Sequence, residues 1–139
     1  MIIDAENLIL GRMATFVAKK ALLGEKVDVV NCEKAIITGT KIKIIEKYKR
    51  ISDIGTQFKG PFLKRLPDRF VRRVIRGMIP YHQGRGRDAY ERVMCYMSVP
   101  IEFHGKKLET IKEADVSRVK SLKYITVGDV CKALRGKSL

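Results

Sequence analysis

The side chains richest in chemical potential are the arginines between Arg65 and Arg92, in the run RLPDRFVRRVIRGMIPYHQGRGRDAYER. On a helix starting near Pro67, Arg69, Arg72, Arg73 and Arg76 share one face at spacings of three and four residues. Phe70, Val71, Val74, Ile75 and Met78 fall on the opposite face, which predicts packing on a core. Solvated helices usually mix acids with bases, yet only Asp68 stands near these arginines. Guanidinium groups along one stripe repel one another until an anion lies along them. Their planar forks suit phosphate oxygens, so the chemistry on offer is neutralisation of a polyphosphate.

The flanking residues extend the same chemistry. His82-Gln83-Gly84-Arg85-Gly86-Arg87 predicts a glycine-rich loop over Tyr81 to Gly86 whose backbone can approach a phosphate. Tyr81 and His82 can stack on a base or a sugar there. Lys49, Arg50, Lys59, Lys64 and Arg65 precede the stripe and Arg92 follows it. The net charge is +14, and residues 41–92 hold fifteen Lys or Arg against five Asp or Glu. Residues 1–40 balance five against five, so the first third reads as scaffold and the region about 41–92 as the binding surface.

Other chemistries are poorly supplied. Asp4, Glu6, Asn31, Glu33 and Thr38 lie at predicted strand ends, where α/β enzymes place their sites. No base, nucleophile or metal cluster converges with them: His82 and His104 are far apart, and turn or capping roles account for Asp4, Asn31 and Thr38. Gly136-Lys137-Ser138 echoes a phosphate loop but lacks its strand and helix. Cys32, Cys95 and Cys131 are widely spaced, which predicts buried free thiols, with no disulfide framework and no metal. No apolar run approaches the ~20 residues that span a bilayer, and no signal peptide is read, so a cytoplasmic protein without cofactor is expected. The alternative is a small nucleotide- or phosphate-binding α/β enzyme. A DNA-binding module lacks helix-turn-helix spacing and zinc ligands.

The elements that must position these residues read as one domain over 1–139. Strands are predicted over Met1–Ala5, Val27–Cys32, Ala35–Ile37 and Met94–Val99. Helices are predicted over Arg12–Leu23, Lys41–Ile51, Pro67 to an end near Gly77 to Pro80, Arg87–Val93 and Thr126–Leu134. Ile42, Ile44, Ile45 and Tyr48 should face inward on the second. Ser52 to Pro67 reads as an extended basic loop, and residues 101–121 give no clear period. A helix between the first two strands makes them parallel. The class expected is α/β, a three-layer α/β/α domain around a small mostly parallel sheet with basic loop and helix excursions.

Three ordered blocks carry a family resemblance. Ile3-Asp4-Ala5-Glu6-Asn7-Leu8-Ile9-Leu10-Gly11-Arg12-Met13-Ala14 resembles the opening of the universal L-thirteen family of large-ribosomal-subunit proteins. Val29-Val30-Asn31-Cys32-Glu33-Lys34-Ala35-Ile36-Ile37-Thr38-Gly39 is similar to its second strand and turn. Arg76-Gly77-Met78-Ile79-Pro80 and Gly84-Arg85-Gly86-Arg87-Asp88-Ala89 resemble its central signature. The resemblance implies a domain that binds large-subunit ribosomal RNA beside neighbouring ribosomal proteins, early in subunit assembly. It implies no small-molecule substrate and no membrane. By position it places Arg12, Lys34, the Gly77, Met78, Ile79, Pro80 turn and Arg85, Gly86 and Arg87 on the RNA. The His-rich tail of many bacterial members and the helical extension of eukaryotic ones are missing, which implies an archaeal-type member.

Overall fold

The computed structural model describes residues 1–56 and 58–136. Lys137 and Ser138 lie outside them. Three short strands, β1 (Ile2–Asp4), β2 (Val27–Val30) and β4 (Val93–Cys95), form a parallel sheet in the order β1-β2-β4. Between β2 and β4 in sequence, β3 (Ile36–Thr38) pairs antiparallel with β5 (Tyr124–Thr126). β2 is central and wholly buried, as a strand flanked on both edges must be. Its register sets Ile3 and Cys95 beside Val29, and Val93 beside Val27, on one apolar face. Helices α1 (Leu10–Leu22), α3 (Pro67–Gly77) and α4 (Gly84–Glu91) contribute to the same core. Beyond the sheet, Phe103 of a one-turn helix (Ile101–Phe103) meets Tyr96 edge-on at 5.4 Å. The α/β class and the mostly parallel sheet are those the sequence predicts.

Local chemistry explains the boundaries. α1 buries Met13, Ala14, Val17, Ala18 and Ala21 in one stripe, leaving Arg12, Thr15 and Lys19 exposed. Gly24 ends it at φ 98°, a backbone state that glycine adopts without strain. α3 starts on Pro67, whose fixed φ suits the first helical position, with Asp68 in its first turn and Arg76 in its last. α5 (Val127–Leu134) is capped by the Thr126 hydroxyl, which accepts the Asp129 N–H at 3.2 Å. With α2 (Lys41–Asp53), α5 encloses a smaller cluster of Ile44, Ile125 and Val130. The three cysteines are free and buried.

The structure corrects four sequence expectations. Residues 84–86 open α4 instead of closing a loop. Gly86 makes that possible, because a Cβ there would collide with the Pro80 carbonyl. Ile42 points outward, 67% exposed, since the inward side of α2 is taken by Ile44, Ile45 and Tyr48. Met78 is exposed rather than buried, because it follows the last turn of α3. The last sheet strand ends at Cys95, and by Ser98 the chain has turned to φ 55°.

Candidate nucleic-acid interface

The predicted arginine stripe exists, and its four members differ. Arg69 and Arg76 are exposed, while Arg72 and Arg73 are half-buried. The Arg72 Cζ lies 4.4 Å from the centroid of Tyr90, a residue of α4, and the Arg76 Cζ lies 5.1 Å from that of Tyr81. Such cation–ring contacts hold a guanidinium in place without neutralising it. Arg73 donates through Nη1 to the Phe62 carbonyl at 2.8 Å, which ties the preceding segment to α3. Ion pairs among the described residues join Lys20 to Glu25, Lys34 to Glu6 and Lys132 to Asp129. None of them involves a side chain from residues 41–92.

These groups converge on a cleft of about 510 Å³. Arg69, Arg72, Arg73 and Arg76 form one wall, Pro61, Phe62 and Lys64 another, and Tyr90 closes it. Among the described residues, no carboxylate lines this cleft. Its potential is therefore positive, and low-dielectric walls concentrate the field on whatever anion enters.

Other predicted residues fall outside the cleft. Lys49 and Arg50 are exposed on α2 beside Glu46 and Asp53, so that surface is mixed in sign. Lys59 sits in an exposed turn, and Arg65 reaches Ser52 at 3.4 Å. Arg12 lines a separate hollow with Thr15, Lys19 and Arg118, its Nη1 donating to the Glu113 carbonyl at 3.3 Å. Lys34 is bonded to Glu6 at 3.1 Å, and that carboxylate holds its ammonium above the ordinary lysine range. Arg92 donates inward to the Ala21 carbonyl at 3.5 Å and so braces the end of α1.

The turn after α3 joins two further pieces. The Thr15 hydroxyl, which donates to the Gly11 carbonyl at 3.0 Å, also lies 3.5 Å from the Met78 sulfur, and Arg85 lines the same shallow surface as Met78, Leu22 and Leu23. Gly77 and Gly84 both have nothing within 4 Å of a Cβ position. Neither has a positive φ, so the fold gives no reason for glycine at either place. Pro80 presents its carbonyl to Gly86, and Tyr81 packs edge-on to Tyr90 at 5.4 Å. His82 and Arg87 are exposed.

Sequence reasoning missed Phe62 and Tyr90, the aromatic parts of the cleft. Phe62 stands in an aperiodic stretch, and Tyr90 belongs to a helix whose glycines read as loop. An aromatic residue between basic ones, as in Phe62 before Lys64 and Arg65, was the available signal.

The carboxyl ends of the parallel strands, where an enzymatic site would stand, are occupied by the chain itself. Asn31, at φ 55°, donates its amide to Asp4 at 2.9 Å, and Asp4 also accepts the Glu6 N–H at 3.0 Å. The Glu33 carboxylate takes the Ser98 N–H at 3.1 Å. Among the described residues, no group of three or more His, Cys, Asp or Glu side chains is placed to hold a metal ion. None of the described helices is long and apolar enough to cross a membrane.

Residues 1–102 match the family described as Ribosomal protein L13. A large ribosomal subunit protein uL13 from Methanococcoides burtonii is 43% identical over 136 residues, covering 98% of each chain. The uL13 protein of Archaeoglobus fulgidus is 45% identical over 134 residues, 96% of this chain and 86% of that one. The uL13 protein of Haloarcula marismortui is 40% identical over 134 residues, 96% of this chain and 90% of that one. With its first 102 residues matched and archaeal relatives aligned over nearly its whole length, the chain belongs to the ribosomal protein L13 family.

Proposed function

We propose that this protein is a structural, non-enzymatic component of an archaeal-type large ribosomal subunit in the cytoplasm. It binds and stabilises large-subunit ribosomal RNA, early in assembly, beside neighbouring ribosomal proteins. The observation that carries this reading is the cleft on α3: four arginines and a lysine converge there with no acid among its lining residues. A folded RNA brings phosphates close together, and fixed guanidinium groups relieve that crowding. Contacts should be mainly to backbone and shape, with few to base edges. The relatives' shared name, large ribosomal subunit protein uL13, supports the assignment. The nucleotide-enzyme alternative loses its place, because Asp4, Asn31, Glu33 and Ser98 bond one another at the strand ends.

A filter-binding titration against the large-subunit RNA tests the reading. If some six to ten phosphates are neutralised, affinity falls on the order of 10³–10⁵-fold between 50 and 200 mM salt, by the scaling for B-DNA. An affinity that barely changes with salt removes the proposed role.

A further inference from the structure

Phosphate neutralisation accounts for the arginines of the α3 cleft and leaves its aromatic residues without a task. Phe62 is 62% exposed, although burying a phenylalanine is ordinarily favourable. Its backbone is not loose, because its carbonyl accepts the Arg73 guanidinium at 2.8 Å. On the other side of the cleft, Tyr90 lies under the Arg72 guanidinium at 4.4 Å. The volume of about 510 Å³ falls within the roughly 300–1,000 Å³ of clefts that take small ligands.

We infer that this cleft seats one unstacked nucleotide of the RNA. The inference rests on the RNA-binding role proposed above and names the feature that this surface selects. A base pushed out of a helix carries two bare π-faces and needs a stacking partner. Phe62 offers an exposed ring, and Arg72, held over Tyr90, offers a charged planar group; bases stack on both kinds of surface. The phosphates on either side of an extruded base lie within reach of the exposed guanidinium groups of Arg69 and Arg76. Lys64, on the opposite wall, adds a charge that tolerates varied geometry. A regular A-form helix presents no free base to such a cleft, so the site distinguishes bulged or looped RNA from paired RNA.

The test uses the full chain and two synthetic RNA hairpins of equal nucleotide number. One has a fully paired stem, and the other carries a single unpaired adenosine in the stem. The bulged hairpin should bind about tenfold tighter, the scale of one base–aromatic stack. Phe62→Ala should lower the bulged hairpin's affinity about tenfold and so bring the two affinities together. Phe62→Tyr should keep the preference, which separates loss of stacking from misfolding. Equal binding of both hairpins by the unaltered protein overturns the nucleotide seat, and so does a preference that survives Phe62→Ala. If neither hairpin binds, the RNA-binding role beneath it falls as well.

Discussion

The guanidinium of Arg72 lies over the ring of Tyr90, with its Cζ 4.4 Å from the centroid, and joins α3 to α4 without an acid. Asp68 stands one helical turn before it but makes no ion pair with it, although i, i+4 spacing commonly allows one. The Arg72 Nε and one Asp68 carboxylate oxygen are both buried without a hydrogen-bond partner among the described residues. Arg72 is therefore part packing element and part open charge.

That dual role makes Arg72 a poor choice for probing RNA binding alone. Arg72→Ala removes the ring contact and its packing, and should cost about 0.5–2 kcal/mol of stability. Urea unfolding of the free protein measures it. Unchanged stability would mean that the Tyr90 contact contributes nothing in solution.

Arg69 and Arg76 are the cleaner probes, being exposed and free of ion pairs among the described residues. Arg69→Glu with Arg76→Glu should lower stability by no more than about 1 kcal/mol, the share of the Arg76 contact with the Tyr81 ring. The plot of log affinity against log salt should become shallower by about two. A larger loss on urea unfolding with an intact slope would assign these arginines to the fold.

Two glycines should respond in opposite ways. At Gly86 a methyl group collides with the Pro80 carbonyl, so Gly86→Ala should destabilise by about 1–3 kcal/mol. At Gly77 the space is open, so Gly77→Ala should stabilise by up to about 1 kcal/mol. If the bare backbone at Gly77 serves close approach of the RNA, as the proposed role implies, RNA affinity should nevertheless fall for Gly77→Ala. Thermal melts paired with RNA titrations separate the two effects. A Gly77→Ala protein that binds RNA normally would leave that glycine without explanation.

The thiols give a pH dependence. Burial pushes the Cys131 thiol up to about 11, and the nearby Cys95 side chain, together with burial, raises Cys32. Unfolded thiols ionise near ~8.5, so above that pH the unfolded chain loses protons that the folded chain keeps. Stability is thus full below pH ~8.5 and declines by roughly 1.4 kcal/mol per pH unit for each such thiol. For Cys131 this decline stops as the pH passes about 11. Comparing the chain with Cys131→Ala at neutral and alkaline pH isolates one thiol's share. Matching pH profiles would show that Cys131 ionises freely in the folded state.

What the sequence disclosed was what periodicity and turn chemistry encode. The α3 face, the parallel pairing of β1 with β2, the turn at Gly24 and the Thr126 cap each follow from residues close in sequence. Contacts across the fold were hidden. Two glycines suggested a loop at 84–86 because glycine disfavours helix, and only the Pro80 carbonyl explains the need for one of them. β5 has three residues, too few for an alternating pattern to stand out beside the charged stretch before it. The arginines of the cleft were readable from helical spacing, whereas Phe62 and Tyr90 join them only through tertiary contact.

The ties between Asp4 and Asn31 and between Glu33 and Ser98 carry a wider consequence. Parallel α/β architectures usually leave a crevice beyond their strand ends, and evolution fills it with cofactors and substrates. Here the molecule stitches that opening shut with its own polar groups. In the role proposed above, recognition falls to the outside of the helices, where a target far larger than the protein can lie against it.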